Sequence, residues 1–374
     1  MKQNRSHDID RYEKKVIKDN IHWNCNKMDS FDKTFNFVIS AREPGKSTVL
    51  NTKLFKKLKH NHARCLIIRR RPVDITEGYI NSIATTINKF LPPHQRITFY
   101  FNKGDMKVGQ VDIYLDPAHT ELFGRVQALN IPSERAKSNF IKNVAIILYD
   151  EFIPNDTKAY LPKEVQNFYD VYSTYYREFK GHLKCYFSGN PYTIFNPFFS
   201  KMNICISDIK PGAFLVGEDY VLDFPVITPE LRAYILNKNP LYKFDDEYTN
   251  YALNGIAIND AKYNIVSRKP NPYYKLKHVF RIGGTYLYVW RQPSNMPGST
   301  GYGDKFWIET SKKLLKTNKK IYAVDFDNLI QNTQLVTKDV KVIMQQLKWS
   351  VAHRNIGYQS VDAAVLVENL YTVI

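Results

Sequence analysis

The stretch Ser40-Ala41-Arg42-Glu43-Pro44-Gly45-Lys46-Ser47-Thr48 stands between a short apolar run, Phe35 to Ile39, and a segment from Ser47 to Lys59 that repeats Leu50, Leu54 and Leu58 on one helical face. Strand, loop and helix in that order mark Gly45-Lys46-Ser47 as the centre of a phosphate-binding loop. Backbone N–H groups of residues 40–48 and of the helix start are expected to wrap the β-phosphate of ATP, Lys46 to bridge the β- and γ-phosphates, and the Ser47 hydroxyl to ligate Mg2+. Ser40 stands where such loops usually carry their first glycine, so the flanking strand and helix support the reading more than the bare motif does.

Working outward, Arg64 to Arg69 reads as a second strand, and Asp74 to Leu91 as a helix that Pro92 and Pro93 stop. Ile97 to Phe101 and Val111 to Leu115 read as a hairpin around Asn102 to Gly109, with a further strand at Thr120 to Val126. Val144 to Tyr149 is the most apolar run and is expected to be a central buried strand. It ends in Asp150-Glu151, where a Walker B pair belongs: Asp150 in the Mg2+ shell and Glu151 polarising the attacking water as general base. Glu164 to Phe179 follows as a helix, then a strand from Leu183 to Ser188. The turn Ser188-Gly189-Asn190 places Asn190 toward the γ-phosphate. This alternation predicts an α/β domain with a mainly parallel sheet.

From Thr228 to Lys269 the chain is polar and weakly periodic, and reads as a connecting segment. Strand patterns return at Lys277 to Ile282, Tyr286 to Trp290 and Lys305 to Glu309, with Gly283-Gly284 as a hairpin turn. A strand at Lys320 to Val324 and helices at Asp339 to Trp349 and Val361 to Leu370 complete a smaller α+β domain.

The 374 residues suffice for two or three domains, and 44% hydrophobic with 24% charged residues excludes collagen, coiled-coil and wholly disordered classes. Lys plus Arg number 53 against 36 acidic residues, a net charge of +17. Such an excess favours a polyanionic partner, nucleic acid first. The densest apolar run is far short of a membrane span, and the start of the chain lacks a signal-peptide pattern, so a cytosolic protein is expected. Cys25, Cys65, Cys185 and Cys205 are widely spaced and suggest neither zinc nor disulfides. Basic clusters occur at Lys56, Lys57 and Lys59, at Arg69 to Arg71, and at Lys312, Lys313, Lys316, Lys319 and Lys320. Clusters of this kind are ordinarily solvated faces; the last is the densest and is the candidate contact for DNA or RNA. A glutamate directly after the Walker B aspartate favours hydrolysis by water, which together with the charge points to a nucleic-acid-driven ATPase.

Asn36-Phe37-Val38-Ile39-Ser40-Ala41-Arg42 running into Gly45-Lys46-Ser47, Leu148-Tyr149-Asp150-Glu151-Phe152-Ile153, and Ser188-Gly189-Asn190 with Asn196-Pro197-Phe198-Phe199 resemble, in order and spacing, the DNA-packaging ATPases (encapsidation proteins) of phi29-like tailed phages, which are terminase-like motors. The resemblance implies an additional-strand P-loop ATPase domain over 1–226, a linker over 227–268, and a vestigial RNase H-like nuclease-fold domain over 269–374. It implies a homopentameric ring on the portal of a prohead, moving double-stranded DNA, with a packaging RNA as adaptor in some members. The site would be the host cytoplasm and, transiently, the prohead, with the protein absent from the mature virion. By the same resemblance Arg177 falls at the trans-acting arginine finger, and Lys137 at a basic residue of the intersubunit site. Arg42 matches a family arginine, whereas Glu43-Pro44 departs from the usual small residues.

A two-metal nuclease needs carboxylates converging from separate elements. Asp304, Asp325, Asp327, Asp362 and Glu368 are available, but Lys277 to Ile282 carries Arg281 and no Asp, so an inactive nuclease is expected. Two other readings stay open on the sequence: a terminase that also cuts DNA, and a non-hydrolysing nucleic-acid-binding protein with a degenerate P-loop.

Overall fold

Strands that are buried on both faces read as near-continuous apolar runs, and β1 (Phe35–Ile39), β2 (Arg64–Arg69), β5 (Val144–Asp150) and β6 (Lys184–Gly189) are mostly apolar and mostly buried. In the computed structural model they form the centre of an eight-stranded sheet together with β3 (Gln110–Tyr114), β4 (Leu122–Ala128), β7 (Phe214–Val216) and β8 (Tyr220–Asp223). The order is β3-β4-β2-β5-β6-β1-β8-β7, parallel except for the edge strands β3 and β7. The structure describes residues 22–40, 45–131, 140–154, 160–179, 183–191, 196–202, 204, 212–238, 263–282, 284–297, 303–324, 328–336 and 338–373.

One face of this sheet is aliphatic. Leu50, Leu54 and Leu58 of α1 (Lys46–Asn61) and Ile80, Ile83 and Ile87 of α2 (Glu77–Asn88) pack there with Cys65, Ile67, Ile146 and Leu148. The other face is aromatic. Phe37 stacks on Phe187 at 4.4 Å, and Phe168 of α3 (Glu164–Phe179) lies 4.9 Å from the Phe187 ring, each such pair adding about 0.5–1.5 kcal/mol to area burial.

Two expectations change. The hairpin is β3 with β4, because Ile97 to Phe101 contributes only a single bridge, Tyr100 to Tyr114, and residues 104–107 form a helical turn. Strands β7 and β8 are additional; three or four residues are too few for a periodicity signal.

The second sheet has β9 (Lys275–Ile282), β10 (Thr285–Gln292) and β11 (Lys305–Ser311) as an antiparallel meander, with β12 (Ile321–Ala323), β13 (Thr333–Leu335) and β14 (Ile356–Tyr358) joined in parallel. Its order is β13-β12-β9-β10-β11-β14. A meander extended by parallel strands beside its first member is the arrangement expected of an RNase H-like core, with β14 added at the far edge. Phe280, Ile282, Leu287, Val289, Phe306 and Ile308 meet α5 (Lys338–Ala352) and α6 (Val361–Val373) on one face.

The chain divides into two compact units, Met1–Tyr192 with Ile209–Ile258, and Thr193–Asp208 with Asn259–Ile374. The helical turn Pro197–Lys201 therefore counts with the second unit, where it packs on α6, and not with residues 1–226. Of the polar connecting segment, Pro229–Lys238 is a helix, α4, within the first unit; residues 239–262 lie outside the described residues.

Candidate functional site

Gly45 takes φ +92°, a left-handed conformation that costs glycine nothing, and α1 starts immediately after it. Among the described residues no side chain caps that helix start, and no acidic residue lies in its first turn, so its N–H groups and positive dipole end face toward an anion. Lys46 is 7% exposed, and its Nζ donates to the Ser40 carbonyl and Oγ, both at 2.8 Å, and to Asn190 Oδ1 at 3.0 Å. Three of the expected residues, from β1, α1 and the end of β6, thus meet at the carboxyl edge of the sheet. Ser47 follows, exposed, in the first turn, with Thr48 beside it. Ala41, Arg42, Glu43, Pro44 and Lys137 lie outside the described residues.

Asp150 closes β5 at the same edge, paired in register with Ser188 of β6. Strand β6 stands between the P-loop strand β1 and the acidic strand β5, the arrangement that defines an additional-strand P-loop ATPase. Glu151 lies just past the strand at φ 55°, a strained conformation for a residue with a Cβ.

Sequence reasoning missed what holds the pair. Arg69 was expected on a solvated basic face; it is 9% exposed, and its guanidinium donates to Asp150 Oδ2 at 3.1 Å and to Glu151 Oε2 at 2.6 Å. Tyr79 Oη also donates to Asp150 Oδ2, at 2.9 Å, with its ring 4.4 Å from the Arg69 guanidinium. Burial opposes the Arg69 charge, but Tyr79, Asp150 and Glu151 together hold it above the ordinary arginine value. Burial pushes Asp150 up, against the pull of Arg69. Arg70, from the same cluster, is 7% exposed and pairs with buried Glu164. The signal that finds both arginines is positional: β2 lies next to β5 in parallel register, so its last residues stand beside Asp150 and Glu151.

Arg177 does not join this cluster. It is exposed in the last turn of α3, and its side chain makes no hydrogen bond or ion pair to any described residue.

The chemistry of the described residues fits a nucleoside triphosphate with a divalent cation: a buried ammonium, a helix start with no side-chain cap among the described residues, a hydroxyl at its first turn and a carboxylate at the facing strand end.

In the second unit Lys312, Lys313, Lys316, Lys319 and Lys320 are all exposed on the segment between β11 and β12, which is pinned where the Leu315 N–H donates to Tyr288 Oη at 2.7 Å. Asp304 is engaged by Arg291 and by the Ser294 N–H. Arg281 on β9 donates to the Asn328 carbonyl at 3.0 Å. Asp325, Asp327 and the Glu368 side chain lie outside the described residues, and among the described residues no three His, Cys, Asp or Glu groups are placed to hold a metal.

Residues 17–371 match the family model described as Podovirus DNA encapsidation protein (Gp16). The chain belongs to that family. It is 26% identical over 330 residues to the DNA packaging protein of Bacillus phage phi29, covering 85% of this chain and 86% of that protein. Two solved structures share its fold, each with a TM-score of 0.60. The bacteriophage Phi-29 viral genome packaging motor assembly is 21% identical, over 95% of this chain and 100% of that one. The Phi-28 gp11 DNA packaging motor is 16% identical, over 94% of this chain and 97% of that one. Membership in the encapsidation family agrees with the α/β P-loop fold and with a DNA-packaging role.

Proposed function

We propose that this member of the encapsidation family hydrolyses ATP to drive double-stranded viral DNA into a prohead. The observation that carries the reading is the convergence of Lys46, Asn190, Asp150 and Glu151 on one sheet edge with β6 inserted between the two motif strands. Bound Mg2+ would neutralise phosphate charge. Lys46 would leave its Ser40 contacts for the phosphates, Ser47 and Asp150 would supply oxygens to hold the cation, and Asn190 would orient the γ-phosphate side. Glu151 takes the proton from the attacking water once Arg69 releases it. Arg177, unpaired among the described residues, reaches the neighbour's site in a homopentameric ring on the portal, and Lys137 supports that intersubunit site.

The exposed lysines from 312 to 320 contact DNA phosphates or a packaging RNA without reading bases. The second unit is nuclease-inactive, because β9 presents Arg281 where a metal-ligating aspartate is needed. The protein works in the host cytoplasm, docks transiently on the prohead and is absent from the mature virion.

The test is steady-state ATP hydrolysis with and without proheads and linear DNA. Glu151→Gln is expected to lower stimulated turnover about a hundredfold or more, and Arg177→Ala to poison mixed rings beyond its own share. Turnover that survives Glu151→Gln sinks the catalytic assignment. Mg2+- or Mn2+-dependent cleavage of plasmid DNA by the protein, lost on Asp325→Ala, would overturn the inactive-nuclease reading.

A further inference from the structure

We infer that the Arg70–Glu164 ion pair ties the backbone of the catalytic glutamate to the helix carrying Arg177, so that a change at one subunit's Walker B loop moves the arginine it presents to its neighbour. The inference rests on the trans role of Arg177 proposed above.

One planar guanidinium spans the two elements. Arg70 donates from Nη1 to the Glu151 carbonyl at 3.2 Å and from Nη2 to the Phe152 carbonyl at 2.7 Å. Its Nε donates to both carboxylate oxygens of Glu164, at 3.0 and 3.2 Å. Glu164 is the first residue of α3 and is 2% exposed; it also accepts from Tyr149 Oη at 2.6 Å and from the Leu161 N–H at 2.8 Å. Only arginine offers enough donors in a fixed fork to hold a carboxylate and two carbonyls at once. The acid at a helix start is favoured by the dipole, so the pair is anchored on the helix side.

The loop side stores strain. Glu151 is held at φ 55° while Arg70 grips the carbonyls of Glu151 and Phe152 and the Phe152 N–H donates to the Ser188 carbonyl at 3.1 Å. Release of the Glu151 carboxylate from Arg69 frees a backbone that has a lower-energy state to relax into. The helix has room to follow, since a cleft of about 330 Å³ runs beside it, bordered by Gln127 and Leu129 on the sheet side and by Asn167, Asp170 and Thr174 on the helix. Sixteen residues make a rod about 24 Å long, so a tilt of a few degrees at Glu164 shifts Arg177 by about 1–2 Å. A misplacement of that size changes catalytic rates by up to about a hundredfold.

The experiment mixes two full-length chains on proheads with linear DNA. One carries Glu151→Gln and supplies only fingers; the other carries Arg177→Ala and supplies only sites. Without further changes the mixture is expected to restore turnover; no restoration takes down the trans role of Arg177, and the relay with it, before Glu164 is touched. Glu164→Gln is then placed in one chain or the other. The relay requires at least a fivefold fall in kcat when it sits in the finger donor, at unchanged KM, and less than a twofold fall in the site donor. A fall confined to the site donor makes the pair a support for the Walker B loop alone and overturns the relay, as does no fall on either side. Equal falls with a lowered Tm mark a folding defect, and Arg70→Lys, which keeps the buried charge, then decides: the finger-donor asymmetry must reappear, and its absence overturns the relay.

Discussion

Arg69 bridges two carboxylates, Asp150 and Glu151, to which the proposed hydrolysis assigns separate roles, one toward the metal and one toward water. Removing the cation leaves Asp150 buried without its partner, so Arg69→Ala is expected to destabilise the fold by about 3–5 kcal/mol, read by denaturant unfolding. Tyr79→Phe removes one hydrogen bond to the same oxygen and is expected to cost about 1.5–3 kcal/mol. Asp150 also sets a pH dependence. Burial raises its pKa above the usual 3.8 despite Arg69, so the folded state binds the proton more tightly than the unfolded chain. Stability from this group is therefore full below 3.8 and falls as pH rises through the raised value. Asp223, also raised by burial, gives a decline of the same sign, so unfolding measured across that window is expected to fall more steeply in wild type than in Asp150→Asn.

At the scale of elements, close approach between strands decides where side chains are allowed. A Cβ on Gly124 of β4 would lie 2.3 Å from the Cys65 carbonyl of β2, which is backbone and cannot move aside. On Gly189 of β6 it would meet the Phe152 ring at 2.8 Å, which can tilt. Gly124→Ala is expected to lower Tm more than Gly189→Ala, both by amounts in the overpacking range of about 1–3 kcal/mol. Thermal melts of the two variants rank them; the reverse order would contradict the parallel pairing of β2 with β4. On β9, His278 is pulled below its usual value by burial and by Lys319, Lys277 and Arg291, with the Tyr322 and Phe280 rings packed beside it. A polyanion that neutralises those cations raises it again, so DNA binding is expected to take up a proton and tighten as pH falls below about 6.5. His278→Gln is expected to flatten that trend in a binding titration.

For the whole molecule, the net charge of +17 is spread over the chain, yet the five lysines from 312 to 320 gather on one exposed segment between β11 and β12. Replacing all five with glutamine is expected to weaken DNA binding uniformly across sequences. The slope of log affinity against log salt should become shallower by about 0.9 for each phosphate that is no longer neutralised. An unchanged slope would move the DNA-binding surface elsewhere on the molecule.

The strand-loop-helix around Gly45-Lys46, the buried strand that ends in Asp150 and the alternating strands and helices of the first unit were legible in the sequence because each is a local pattern: an apolar run, a helical period, a turn residue at a strand end. The resemblance carried by those same motifs led to the family. Local patterns do not report which strands are neighbours. Only the tertiary structure put β6 between β1 and β5, and set Arg69 and Arg70 at the end of β2 beside Asp150 and Glu151. In sequence those arginines are a basic run like any other; burial at the end of β2 makes them the groups that hold Glu151, Arg69 by its carboxylate and Arg70 by its carbonyl. The same holds for Pro197–Lys201, whose place with the second unit follows from packing on α6 and from nothing in its own composition.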